Sequence, residues 1–578
     1  MDMILAQKIK KGLSLLSKIT AVLFFILGLA AIIAVFSLKS LQQMQFDSAA
    51  RYAQWSNKLL KPFRFVTLYR LHSLEAVNHG LEVIQLLPNL EKTFQETFAS
   101  LSAFADPTDA DQSTDQLISQ DLIAEINTLS QAYDSFFFHL QKSWLLNIFL
   151  DDHSQQKLEQ LNHNLPILKR ILTHYQKGEH NVVLLLQNND EIRASGGFMG
   201  SIAAFSLQDG KMTDPIFYDI YDLSNQITET SPAPPGVYQY LSEGRGLALT
   251  DTNWQADFSQ AAQDIISLLD QTILPETDLL IALNLDFVKN LLSITGPIYL
   301  PNLESSPQTV TPENLNNLAR QQRIEFFAGD KQKKHFLGQL YTALKLQLAQ
   351  IDQTQLIQLM TMLSQTTRNK NILLYSKNLD IQSLFVKANL TGTINPNTDY
   401  FFYLVESNVG INKANQGVER NITLAINQNL VSFALEFSNH NSPLTEKEVA
   451  LIQNNPDLMQ ATHLGYVNYQ RLLTNLPILE NSIKVSCDEQ PIDLEESRTV
   501  SIWEGSVTQL GFLVTVAERS HKKCVLSFKP QQPLLEEKTW TLLKQPGLPD
   551  TSYQLNIFED HQQKILNQDL IFSMNGGI

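Results

Sequence analysis

Residues 181–211 read NVVLLLQNNDEIRASGGFMGSIAAFSLQDGK. Val182 to Leu186 is an apolar run of strand length, and it leads into the polar turn Gln187-Asn188-Asn189-Asp190. Glu191 and Arg193 follow, then Gly196-Gly197, then a second apolar run closed by Asp209-Gly210. Two strands flanking a polar, glycine-containing connection can hold an arginine and carboxylates at a strand end. Backbone without Cβ atoms there would also let a ligand come close.

Working outward, strands and helices alternate from 181 to 395. Strand candidates are Val182–Leu186, Ser201–Leu207, Ile216–Ile220, Leu279–Leu283 and Ile372–Tyr375. Helix candidates are Phe258–Leu269, Leu285–Leu292, Lys333–Gln350 and Gln355–Thr366. The alternation predicts a three-layer α/β or α+β domain with helices covering a sheet. From 396 to 578 the chain changes to short alternating runs separated by polar, Gly or Pro turns, which predicts an all-β sandwich. Between 39 and 180 the pattern is helical: Leu122, Ile126, Leu129, Tyr133, Phe136, Leu140 and Trp144 form one apolar stripe. Its simplest form is a stalk or small bundle; a ligand-sensing bundle is the alternative. Residues 105–115 read as a loop within it.

Ile19 to Leu38 is uncharged and apolar, and twenty residues at about 1.5 Å each span a bilayer of about 30 Å. Lys8, Lys10, Lys11 and Lys18 precede it against a single acid, Asp2. The positive-inside rule then gives a cytoplasmic tail over 1–18, a transmembrane helix over 19–38 and an extracytoplasmic remainder. A cleaved signal peptide is the other reading, though the run exceeds the usual apolar core of about 7–15 residues.

The chain of 578 residues is long enough for several domains, and its 43% hydrophobic content suits packed cores. A net charge of −16 without a long basic block argues against a nucleic-acid partner. Cys487 and Cys524 both fall on the expected outer side. There they form either a disulfide or two buried thiols, and without C-x-x-C spacing a zinc knuckle is not expected.

No nucleophile elbow, P-loop, H-E-x-x-H or EF-hand loop occurs, and the twelve histidines lack ligand spacing. Three polar clusters remain in the α/β region. The first holds Asn188, Glu191, Arg193, Gly196 and Gly197. The second holds Asp219 and Asp222, then Asp251, Asn253, Trp254 and Asp257. The third holds Arg323, Asp330, Lys331, Lys333 and Lys334. Arg offers a bidentate fork for phosphate, Lys a point charge, and Asp can hold Mg²⁺. Together they would suit an anionic, phosphorylated ligand. The plainer alternative makes Asp251 and Asp257 capping or turn residues, and 330–334 a solvated helix start.

Several segments resemble the bacterial family called domain of unknown function 4012: LLLQNNDEIRASGGFMGS at 184–201, DTNWQADF at 251–258 and LNLDFVKNLLSITGPIYLP at 283–301. GDKQKKHFLGQL at 329–340, NILLYSKNLDIQSLF at 371–385, DYFFYLVESNVGINKANQGVER at 399–420 and KQPG at 544–547 continue it in family order. Ala194 and Ser195 stand where the family often has Pro and Thr. More distantly, residues 283–298 and 323–344 are similar in layout to LytR-CpsA-Psr proteins, which also follow one N-terminal anchor. Their Arg-Ser-Asp-Thr and Pro-Arg-Asp signatures are not present. That resemblance implies transfer or binding of glycan on a polyprenyl-pyrophosphate lipid, with Arg193, Asp219, Arg323 and Asp330 as catalytic residues. Asp219 and Asp330 would hold Mg²⁺. Asn188, Glu191, Gly196, Gly197, Asp251, Asn253, Asp257 and Lys334 would line the ligand site. The rival expectation is a non-catalytic envelope scaffold or adhesion module. A deep apolar tunnel ending at Arg193 would favour the first, and a filled core the second.

Overall fold

A computed structural model describes residues 29–573 apart from 31, 35, 42, 44, 62–71, 101–114, 149, 243, 302–307, 316–317, 319–330 and 455–461. Most of the expected loop at 105–115 and the first half of the expected membrane span therefore lie outside the described residues. Among the described residues no helix is long and apolar enough to cross a membrane. The described helical residues between 29 and 41 pack back-to-back with helix Phe46–Leu60. Ser56 donates to the Ala30 carbonyl at 2.9 Å and Ser37 to the Ala49 carbonyl at 2.8 Å, and small alanines let the backbones approach.

The central sheet runs in the order Asp115–Gln116, Lys211–Met212, Phe198–Gln208, Glu179–Asn188, Leu279–Asn284 and Ile372–Ser376. Ile216–Asp219 pairs beside Phe198–Gln208. Only Glu179–Asn188 and Leu279–Asn284 are parallel within this sheet, and the crossover between them carries helix Phe258–Leu269. Alternate side chains go to opposite faces of a strand. Val183 and Leu185 pack under Ala261, Ala262 and Ile265 of that helix. Val182, Leu207 and Leu279 pack on the other face against Ile167 and Tyr175 of helix Asp152–Tyr175, and against Ile381, Leu384 and Phe385 of helix Leu379–Lys387. Helices thus cover both faces. The last helix of the expected stalk is the outer layer of the α/β domain, with Tyr175 donating to Ser376 at 2.9 Å. Phe94 and Phe98 of helix His72–Ser100 likewise join the cluster of helix Gln353–Arg368. The helical region is joined to the domain through these apolar faces, while helices His72–Ser100, Gln120–Gln141 and Asp152–Tyr175 also pack on one another around Tyr133 and Leu165.

On the predicted helical stripe, Leu122, Ile126, Leu129, Tyr133 and Leu140 are buried. Trp144 is 74% exposed, because helix Gln120–Gln141 ends and Ser143 caps a new turn that points the indole outward.

Beyond residue 399 two sheets face each other. One runs Glu496–Ile502, Gly505–Val516, Tyr466–Thr474, Tyr400–Asn408, Thr539–Leu542, Leu570–Ser573; the other is seven-stranded and centred on Leu430–Asn439 and Val418–Asn427. Phe402, Leu472 and Phe512 meet Leu424, Phe433 and Leu526 in one core, with Phe402 and Phe433 rings 5.4 Å apart. Cys487 and Cys524 stand opposite each other on neighbouring strands and are disulfide-bonded, with Cα atoms 4.0 Å apart.

The six-stranded sheet is buried on its outer face as well. Phe401, Tyr403, Val405 and Leu473 pack against Ala194, Ala256 and Ile394 of the α/β domain. Strands Tyr400–Asn408 and Tyr466–Thr474 are therefore closed on both sides. The expected boundary at 395/396 marks a change of fold class, and the two domains share a core across it.

Candidate functional site

The Asn188–Gly197 motif lies in this joint. Residues 189–197 form a connection in which every residue is buried. A buried loop must satisfy its backbone polar groups from its surroundings, and here the sandwich and the adjoining α/β segment supply the donors. Asn189 O accepts from the Asn415 side chain at 2.7 Å, Asp190 O from the Asn415 backbone at 3.2 Å and Ile192 O from Asn408 N at 3.0 Å. Arg193 O accepts from Gln545 Nε2 at 3.1 Å, and Gly197 O from Asn253 Nδ2 at 2.6 Å. Glu191 O takes Phe198 N at 2.9 Å, closing the loop on itself. A register shift after Leu186 precedes the turn and re-aims the chain toward the sandwich.

Side chains follow the backbone across. Ile192 is fully buried and belongs to the sandwich core, a contribution of about 1.5–3 kcal/mol. Arg193 is 2% exposed. Its Nη1 donates to the Asn408 carbonyl and, at 3.3 Å, to Ile192 O, while Nη2 stands 3.9 Å from Asp251 Oδ1. Burial holds the Asp251 carboxyl above its ordinary range, with Arg193 pulling it down and Glu191 pushing it up. The expected open cation is instead enclosed among fixed carbonyls and one carboxylate.

The glycine pair serves packing. A Cβ on Gly197, at φ +148°, would come within 2.3 Å of Asn188 O; one on Gly196, at φ +130°, within 2.5 Å of Gln187 Oε1. The KQPG turn closes on the same spot, where a Cβ on Gly547 would lie 2.1 Å from Gly196 O. Close approach is needed, as the sequence implied: the pair folds back on its own strand end at Gln187 and Asn188, and Gly547 of the sandwich closes on Gly196. Asn188 Oδ1 accepts from Asp190 N at 3.1 Å, an Asx turn.

Asp257 caps helix Phe258–Leu269 through Gln260 N at 3.2 Å, and also accepts from Ile394 N at 3.1 Å and Trp503 N at 3.2 Å. Burial pushes its carboxyl up to about 6 despite those bonds. Trp254, next to Asn253, lies 4.4 Å under the Arg471 guanidinium, and burial lowers that arginine to about 10. Asp219 caps the short helix Ile220–Ser224 through Tyr221 N at 2.9 Å. Arg323 and Asp330, and the side chain of Lys334, lie outside the described residues.

The structure thus brings Arg193, Asp251, Asn253, Asp257 and the glycines together at one joint. It also adds residues read only as family resemblance. Glu406 and Arg420 form a buried pair, Nε to Oε1 and Oε2 both 2.9 Å, with Tyr466 OH donating to the same carboxylate. Lys544, 3% exposed, donates to Gln545 O at 3.1 Å and Leu548 O at 2.6 Å, and burial lowers it to about 8. The available signal was the density of Asn and charged residues within the apolar strand region YFFYLVESNVGINKANQGVER.

Residues 177–323 match the family described as "Protein of unknown function (DUF4012)", in agreement with the resemblance carried by the motifs in that segment. No curated protein matches the chain. Among solved structures, protein gbs0355 from Streptococcus agalactiae is 10% identical, covering 38% of this chain and 75% of that one, with a TM-score of 0.23. Lin1025 protein from Listeria innocua is 11% identical over 37% and 81%, TM-score 0.20. Putative transcriptional factor Lmo1026 from Listeria monocytogenes is 13% identical over 38% and 80%, TM-score 0.17. At such scores these likenesses carry no argument.

Proposed function

We propose that this chain is a membrane-anchored, extracytoplasmic cell-envelope protein whose α/β domain and β-sandwich act as one rigid, non-catalytic scaffold. The observation that carries this is the position of the family motif: Arg193 and its neighbours are the fastening between two domains. The lysines before the apolar run support the anchor and its orientation. The Cys487–Cys524 disulfide supports an oxidising compartment.

Phosphotransfer on a lipid-linked glycan fits the described residues less well. It would require Arg193 to leave the Asn408 and Ile192 carbonyls and expose a filled joint. It would also require Asp219 to leave its cap. Titrating the detergent-solubilised chain with a polyprenyl pyrophosphate, with and without Mg²⁺, tests the reading. The scaffold predicts no saturable Mg²⁺-dependent binding; such binding, abolished by Arg193→Lys without loss of stability, would overturn it. The envelope placement is tested apart from this, by an alkaline phosphatase fusion at the C-terminus, which should be active.

A further inference from the structure

The outer face of the seven-stranded sheet carries an open groove of about 610 Å³. It deepens the scaffold reading, because it gives the rigid body something to hold. Strand register sets its lining. Val418–Asn427 pairs parallel to Thr551–Ile557, with Asn421 beside Ser552 and Thr423 beside Gln554. Gln554 in turn stands opposite Gln563 on the edge strand Asp560–Leu566. The intervening positions Ile422, Tyr553, Leu424 and Leu555 are buried in the sandwich core, so this polar row faces outward. On the other side the pairing places Ala434 opposite Thr423 and Ser432 opposite Ala425. Glu436 and its cross-strand partner Lys523 form the groove's wall on that side.

The chemistry is hydroxyl and carboxamide. Each amide offers a donor and an acceptor side by side, which suits the vicinal hydroxyls of a sugar. The charged lining residues are Glu436 and Lys523, and they neutralise each other at 2.7 Å. His561 bonds Asn556 Oδ1 at 3.0 Å. The groove is thus neutral within a chain of net charge −16, whose field disfavours polyanions. A phosphate or uronate site would need an unneutralised cation here, and an apolar peptide would need an apolar wall. The geometry points to a binding site for an uncharged, hydroxyl-rich glycan strand lying across Thr423, Gln554 and Gln563.

The test titrates the full-length chain in detergent with neutral oligosaccharides of about six sugars (α-glucan, β-glucan, mannan, N-acetylglucosamine oligomers) and with uronate and sulfated polymers of matching length. We expect at least one neutral oligomer to bind, with affinity changing less than twofold between 50 and 500 mM NaCl because no ion pair forms. Thr423→Trp, which fills the groove, should weaken that binding at least tenfold. Gln554→Ala should weaken it severalfold, and neither should shift the melting temperature, since both side chains lie on the outer face. Failure of every neutral oligomer to bind, salt-sensitive preference for the acidic polymers, or full affinity in Thr423→Trp would overturn the proposal. None of these outcomes alters the lipid titration or the topology fusion, so the scaffold reading is judged separately.

Discussion

Replacing Arg193 by methionine keeps most of its volume and removes its charge. In the joint this strips the Asn408 carbonyl of its guanidinium donor and leaves Asp251, 8% exposed, without its counter-charge. Breaking a buried ion pair costs about 3–5 kcal/mol. A surface arginine would cost within about 0.5 kcal/mol. If the α/β domain and sandwich melt as one body of ~400 residues, an unfolding entropy of about 2.1 cal/mol/K per residue converts the loss to about 4–6 °C. Arg193→Lys should fall in the same direction, because an ammonium lacks the fork that reaches the Asn408 and Ile192 carbonyls through one nitrogen and Asp251 through the other. Adding Asp251→Asn removes the stranded carboxylate, so the double variant should recover about 1–3 kcal/mol relative to the sum of the singles. Scanning calorimetry of wild type, both singles and the double reads this out. Arg193→Met within 1 °C of wild type would refute the reasoning.

Residues 398–578 expressed alone lose Ile192 from one core and Ala194, Ala256 and Ile394 from the other face of the sheet. That fragment should bind a hydrophobic dye and melt without cooperativity, whereas residues 152–578 should melt sharply; a cooperative 398–578 fragment would count against the joint. Cys487→Ser opens a loop with a sequence separation of 37 and should lower stability by about 3–4 kcal/mol in the chain-entropy model, measured by denaturant midpoint. Burial lowers the His139 and His174 imidazoles. The unfolded chain then binds more protons below about pH 6.5, and the helical layer should lose stability as pH falls from 7.5 through 6. His139 also shares a 3.0 Å Nδ1–Nδ1 bond with His72, near His79, Glu75 and Lys142, and protonating both rings breaks it. Asp257 acts oppositely: with its carboxyl raised to about 6, its contribution is fully present below about pH 4 and is lost as pH rises through 6. Circular dichroism melts across this range, with His139→Gln as control, should show the acid loss reduced in the variant.

The sandwich strands with one solvated face were legible as alternation. Apolar and polar residues alternate in the sequence over Val431–Glu436, Ile422–Ile426 and Tyr553–Ile557, and these runs fall inside strands Leu430–Asn439, Val418–Asn427 and Thr551–Ile557. Tyr466–Thr474 was not. It is buried along both faces: Arg471 meets Trp254 of the α/β domain, while Asn468 and Gln470 lie on the opposite face with Tyr466 and Leu472, inside the sandwich. No single-strand pattern announces a polar core built by two domains. The motif's residues were legible as a cluster needing close backbone approach. What the sandwich contributed was not, because the donors Asn408 N, Asn415 and Gln545 come from over 200 positions away. A buried joint and an anion site both call for Arg, Asp and Gly at a strand end.

Hydrogen–deuterium exchange over residues 189–197 and 409–415 separates the two. If these residues fasten the domains, their amides exchange as slowly as those of the central strands Glu179–Asn188 and Tyr400–Asn408. Polyprenyl pyrophosphate with Mg²⁺ then leaves the rates unchanged. Fast exchange in the free protein that slows on adding the lipid would show a ligand site, and would contradict the interdomain fastening proposed for Arg193.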